Sequence, residues 1–102
     1  MMGLLHTVNK SPFEKSTLDS CLRVAKDGSS ILFIEDGIYA ALDGTTYSDK
    51  VKEAMKSKKI YALGPDVNAR GVQSKVMEGI ELVDYAGFVN LVTEHDSVQS
   101  WL

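Results

Sequence analysis

A parallel β-sheet enclosed by helices is the fold this sequence predicts, and three observations predict it. Short, nearly continuous apolar runs alternate along the whole chain with segments of helical spacing. The runs lack the in-out alternation of a sheet with one wet face, as expected of strands covered on both sides. Caps and turn formers fall between the two kinds of segment, in the strand–helix order of an α/β domain. At 102 residues, one domain over 1–102 with a mainly parallel sheet of four or five strands is the expected organisation.

The first strand is expected over Leu4–Val8. Ser11-Pro12-Phe13-Glu14 has the hydroxyl, proline and carboxylate of a helix start, and Ser16-Thr17-Leu18-Asp19 repeats the pattern more weakly. The second fits better, because the apolar stripe of Leu18, Cys21, Leu22 and Ala25 begins there. The first then reads as a turn leading in. Gly28 is expected to stop this helix and Ser29 to open the second strand, Ser30–Ile34. Asp36 is placed to cap a short helical segment through Leu42. Val51, Ala54 and Met55 mark another helix, and Lys56, Lys58 and Lys59 near its end suit the helix dipole. Ile60–Leu63 forms a third strand, Asp66 is placed to cap a single turn closed by Gly71, and Val72–Gly79 reads as mostly irregular. Ile80–Asp84 is the fourth strand. Phe88, Leu91 and Val92 mark the last helix, whose stripe His95 continues. The tail Val98-Gln99-Ser100-Trp101-Leu102 offers a fifth strand, because a terminal Trp-Leu is best understood as packing on its own domain or on a neighbour.

Composition narrows the function classes. Apolar residues make up 44% and charged residues 25%, which suits a packed globular domain. The formal charge of −3 argues against non-specific nucleic-acid binding, which needs a basic surface. No apolar run approaches the ~20 residues of a membrane span. The start, Met1-Met2-Gly3-Leu4-Leu5-His6, lacks the basic and apolar regions of a signal peptide, so a cytoplasmic location is expected. Cys21 is the single cysteine, which rules out an internal disulfide and leaves a reduced thiol.

In open α/β sheets ligands gather beyond the carboxyl ends of the strands. Those ends carry Asn9 and Lys10, Glu35 and Asp36, Gly64 to Asp66, then Asp84 and Tyr85. The acidic positions raise a magnesium site, but strand one brings no carboxylate, and helix capping accounts for Asp36 and Asp66. No metal and no organic cofactor is expected. The glycines form neither GxGxxG nor GxxxxGK[ST]. His6 and His95 read as hydrogen-bonded packing residues rather than bases, and no orienting partner for a hydrolytic nucleophile is evident. Cys21 is the remaining candidate, with two readings. On the inward stripe it is a small buried hydrophobe. About one turn into a helix capped at Ser16, it is a thiolate stabilised by the dipole and able to carry persulfide, with Asp19 opposing that charge.

Several blocks in order resemble the DsrH/TusB family. They are Leu5–Phe13, Phe33-Ile34-Glu35-Asp36-Gly37-Ile38-Tyr39-Ala40-Ala41, Tyr61–Asp66, Ala69-Arg70-Gly71, Asp84–Val89 and the ending Val98–Leu102. The resemblance covers essentially the whole chain. It implies a three-layer α/β/α sandwich and the smallest subunit of a heterohexamer, DsrEFH or TusBCD, built from two copies of each of three related chains. The implied partners are DsrE/TusD-like and DsrF/TusC-like subunits and a DsrC/TusE-like sulfur acceptor. The implied work is persulfide transfer between cysteines, for dissimilatory sulfur oxidation or for 2-thiolation of the wobble uridine of transfer RNA. DsrH-type chains have a cysteine early in helix one, in the block that reads Asp19-Ser20-Cys21-Leu22 here, and several TusB chains lack it. That favours the sulfur-oxidation branch. The principal sulfur-accepting cysteine of both complexes belongs to the DsrE/TusD subunit. Two expectations follow: Cys21 is a persulfide carrier, or the chain is a non-catalytic scaffold that positions its catalytic partner.

Overall fold

The computed structural model of the chain describes residues 2–102, and at its centre lies a sheet of five parallel strands. β1 (Met2–Val8), β2 (Ser30–Phe33), β3 (Lys59–Leu63), β4 (Glu81–Val83) and β5 (His95–Trp101) are ordered β4-β3-β2-β1-β5. In register, Leu5 of β1 matches Ser30 on one side and Val98 on the other. The helices are α1 (Thr17–Val24), α2 (Ser48–Ala54), α3 (Gly64–Ala69) and α4 (Tyr85–Glu94), with 3-10 turns at Glu35–Ala41 and Gln73–Lys75. None of the described helices is long and apolar enough to cross a membrane.

The direction of each crossing sets the layers. From β1 to β4 the chain steps steadily across the sheet, and right-handed crossovers place α1, α2 and α3 on one face. The step from β4 back to the far side of β1 sends α4 to the opposite face. Side chains follow suit. Val8, Ile31, Phe33 and Ile60 pack with Leu18, Cys21, Val51 and Val67. Leu5, Leu32 and Tyr61 meet Leu91, with Phe88 half-buried beside them. The expected three-layer sandwich is present, with outer layers of unequal thickness.

Several boundaries move for local reasons. α1 ends at Val24, before Gly28, which has φ +86° in the turn into β2 and donates its N–H to Ser57 O at 2.8 Å. Ser16 is the N-cap residue, yet its side chain makes no capping bond. Asp36 does not cap the segment that follows β2, because Arg70 holds it through Nε and Nη2 at 3.2 and 2.8 Å. Asp66 does not cap its own turn either. That helix starts at Gly64-Pro65, and Asp66 Oδ2 reaches across to accept the Glu35 N–H at 2.6 Å. His95 leaves the helix and opens β5. Its Nδ1 donates to Leu91 O at 2.6 Å and its Nε2 accepts from the Ser30 hydroxyl at 2.9 Å, which pins the end of α4 to β2. Asp84, by contrast, caps α4 by accepting the Gly87 N–H at 2.8 Å.

Two contacts hold β1 in place within the sheet. Glu35 adopts a left-handed φ of +50°, sparsely populated for a residue with a Cβ, and the Asp66 bond fastens it there. This bend carries the next turn across the end of β1, where Gly37 passes so close that a Cβ would lie 2.0 Å from Val8 O. Only glycine fits. At the other edge, Trp101 packs into the thicker layer and its Nε1 donates to His6 Nδ1 at 3.0 Å. An indole N–H can only donate, so His6 Nδ1 is bare and the ring proton sits on Nε2. Leu102, 79% exposed, takes no part in this anchoring.

Gly37→Ala should cost about 1–3 kcal/mol or more through overpacking, read as a lower urea midpoint with an unchanged m-value. Burial first, and then the charge of Lys58, lower the pKa of His6 below its ordinary 6.5. The unfolded chain therefore takes up a proton that the native chain resists. This contribution to stability is complete above pH 6.5 and is lost as pH falls from there toward the native His6 pKa. Urea midpoints of the wild type should thus drop between about pH 7 and about pH 5.5 by more than those of His6→Asn. Parallel midpoints for the two proteins would refute the assignment.

Candidate functional site

The one thiol is placed by α1, whose i, i+3 pair Leu18 and Cys21 faces the sheet. Cys21 is 0% exposed. As the fifth residue of α1 it lies beyond the first turn, where the free N–H groups concentrate the positive end of the dipole. Burial pushes its thiol from 9.0 up to about 12, and the opposing charge of Lys58 is the weaker influence. At neutral pH the protonated thiol is then the favoured form. Asp19, the neighbouring acid, is engaged by Lys50 Nζ at 2.5 Å. In this arrangement the sulfur is covered and its neutral form is favoured.

The carboxyl ends of the strands bring together Glu35, Asp36, Asp66 and Arg70. Apart from the exposed Glu35 carboxylate, these residues engage one another. Arg70 binds Asp36 and donates from Nη1 to Asp66 O at 3.2 Å, and Asp66 holds the Glu35 N–H. Asn9 Oδ1 is buried there without a hydrogen-bond partner. Among the described residues no three His, Cys, Asp or Glu side chains converge as metal ligands would. The cluster works as a clasp that fixes the turn after β2.

The two histidines are buried in opposite tautomers, His6 protonated on Nε2 and His95 on Nδ1. Each is tied to the chain's own groups, in keeping with a packing role. An open groove of about 650 Å³ runs between α1 and α2, lined by Asp19, Leu22, Arg23, Lys50 and Glu53 among others. A narrower hollow of about 420 Å³ is lined by His6, Val24, Lys26 and Ser29. Cys21 lines neither.

A feature that spacing alone misassigned lies on α4. Helical spacing groups Val92 with Phe88 and Leu91 on the inward stripe, yet it points outward with Tyr85 and Val89. Those three are 40%, 62% and 61% exposed. A signal was available: no charged residue occurs from Tyr85 to Thr93. A surface helix with one buried face would carry charges on the other.

The fold and these sites can be set beside known proteins. A family model described as "DsrH like protein" matches residues 10–98. Protein TusB of Escherichia coli (strain K12) is 36% identical over 98 residues, which span 96% of this chain and 100% of TusB. The TusB of Shigella flexneri is 35% identical over the same extent. Among solved structures, the YchN protein of E. coli superposes with a TM-score of 0.83 at 15% identity, covering 98% of this chain and 99% of that one. A protein of unknown function from Methanobacterium thermoautotrophicum gives 0.76 at 14% identity with the same coverage. At such identities these two structures attest the fold alone. The family match and the full-length similarity to TusB go further: the chain belongs to the DsrH/TusB family.

Proposed function

We propose that this chain is a cytoplasmic sulfur-relay subunit that positions partner chains and does not itself carry the sulfur. In such a relay a thiolate attacks the outer sulfur of a donor persulfide, forms a new S–S bond and releases the donor as a thiolate. The step needs an ionised and reachable sulfur. Cys21 is sealed under α1 with its thiol held up at about 12, and that observation carries the reading. Membership of the DsrH/TusB family supports the rest. It implies DsrE/TusD-like and DsrF/TusC-like partners, the former with the principal accepting cysteine, and a DsrC/TusE-like acceptor.

Cys21 as an auxiliary persulfide carrier is the second reading, and its support is position. A cysteine early in helix one is the DsrH-type feature, and carrying sulfur there would require α1 to lift from the sheet. The pathway divides along the same line. Full-length similarity to TusB favours 2-thiolation of the wobble uridine, and Cys21 favours sulfur oxidation. A deletion strain whose transfer RNA loses 2-thiouridine would decide for thiolation, and unchanged 2-thiouridine would decide against it.

Native chain treated with iodoacetamide should stay unmodified at Cys21 until urea is added, as weighed by intact mass. After exposure of the assembled complex to a persulfide donor, one extra sulfur atom should appear on a partner chain and none on this one. Cys21→Ala should assemble and support transfer normally, at a stability cost of about 1 kcal/mol. Rapid native alkylation, or an extra sulfur on this chain that the variant lacks, would make Cys21 a carrier instead.

A further inference from the structure

The surface of this protein is divided. Residues 76–102 contain five acidic residues and no lysine or arginine, whereas residues 1–75 contain nine acidic and eleven basic. The net −3 thus separates into −5 and +2. Ion pairs widen the contrast. All five pairs among the described residues lie within 1–75, leaving Glu78, Glu81, Asp84, Glu94 and Asp96 exposed and without a cation. Apolar exposure is divided in the same way. Outside this acidic segment, only Phe13 and Val24 of the described residues are large, apolar and exposed.

The two features meet on α4. Tyr85, Val89 and Val92 follow i, i+4, i+7 spacing along its outer side, and Val98 of β5 continues the apolar surface on the same sheet face, in register with Leu5. Phe88 and Leu91 already fill the inner side, so the apolar arc of α4 runs on past its buried contact onto the outer side, with Asn90, Thr93 and Glu94 as its polar stripe. Acids rim it. Glu81 is in register with Tyr61 beneath α4, and both Glu81 and Glu94 raise the Tyr61 hydroxyl's pKa, after burial.

We propose that the outer face of α4 docks a different polypeptide presenting an apolar patch rimmed by lysine and arginine. A second copy is a poor occupant. A two-fold contact would set the −5 surface against itself, and like charges across an interface cost several kcal/mol. A head-to-tail contact with α2 would meet lysines already paired, Lys50 with Asp19, Lys52 with Asp43 and Lys56 with Glu53, and no apolar stripe. The proposal deepens the relay-subunit reading and rests on it only for which chain the partner is.

The test uses the isotope-labelled full chain and two synthetic amphipathic helices, one of leucine and lysine, the other of leucine and glutamate. The lysine peptide should shift amide signals over Tyr85–Thr93 and at Val98, less so as salt is raised. Val89→Asp with Val92→Asp, checked by thermal melt to keep the fold, should bind it at least about tenfold more weakly. Shifts elsewhere, an equal response to the glutamate peptide, or self-association of the wild type that the double variant abolishes would overturn the proposal. Co-expression with the DsrE/TusD-like and DsrF/TusC-like chains separates the two claims. If the wild type and the double variant both join the assembly, the surface is misassigned and the subunit reading stands. If neither joins while the peptide result holds, the subunit reading fails and the docking surface stands.

Discussion

A parallel sheet has two apolar faces, and both must be kept from water. This chain assigns three helices to one face and a single helix to the other, because it crosses the sheet in one direction three times and returns once. The imbalance governs the rest of the molecule. Under the thick layer, Cys21, Leu18 and Phe33 are sealed. On the thin side α4 alone covers Leu5, Leu32 and Tyr61, and its own outer face has nothing over it in the single chain.

Depth works against reactivity. The same packing that makes α1 a stable cover takes the Cys21 thiol out of water and disfavours its charged form. Lys58, near enough to act on both Cys21 and His6, does not reverse this. At the strand ends, where α/β sheets often hold ligands, the carboxylates serve geometry. Asp66 and Arg70 stabilise the bend that lets Gly37 pass over β1. What chemistry the chain serves is therefore best understood through the surfaces it offers to others.

Those surfaces are chemically distinct. The helical α1–α2 side carries charges of both signs, several of them joined in ion pairs that contribute little to stability. The α4 side combines uncompensated acid with apolar exposure, so it offers both long-range attraction and area to bury. A family whose members work inside a larger assembly is consistent with a domain whose thin side is completed from outside.

Strand number, parallel character and the helical segments could be read from spacing, because local periodicity and caps respond to neighbouring residues alone. The runs Ser30–Ile34 and Ile60–Leu63, and even the unusual Trp101 tail, fell into the sheet as anticipated. Cys21 was recognisably both inward and early in its helix, and spacing could not say which property would dominate. That balance depends on the layers stacked above the thiol, which only the assembled fold supplies. The partners of Asp36 and Asp66 were likewise beyond reach, since Arg70 and the Glu35 N–H lie more than thirty residues away in sequence. Local rules assigned those acids to caps, and long-range geometry gave them to a clasp. Which part of α4 would be left bare was also a matter of topology, because its apolar arc is wider than one contact face and does not record which part of it meets the sheet.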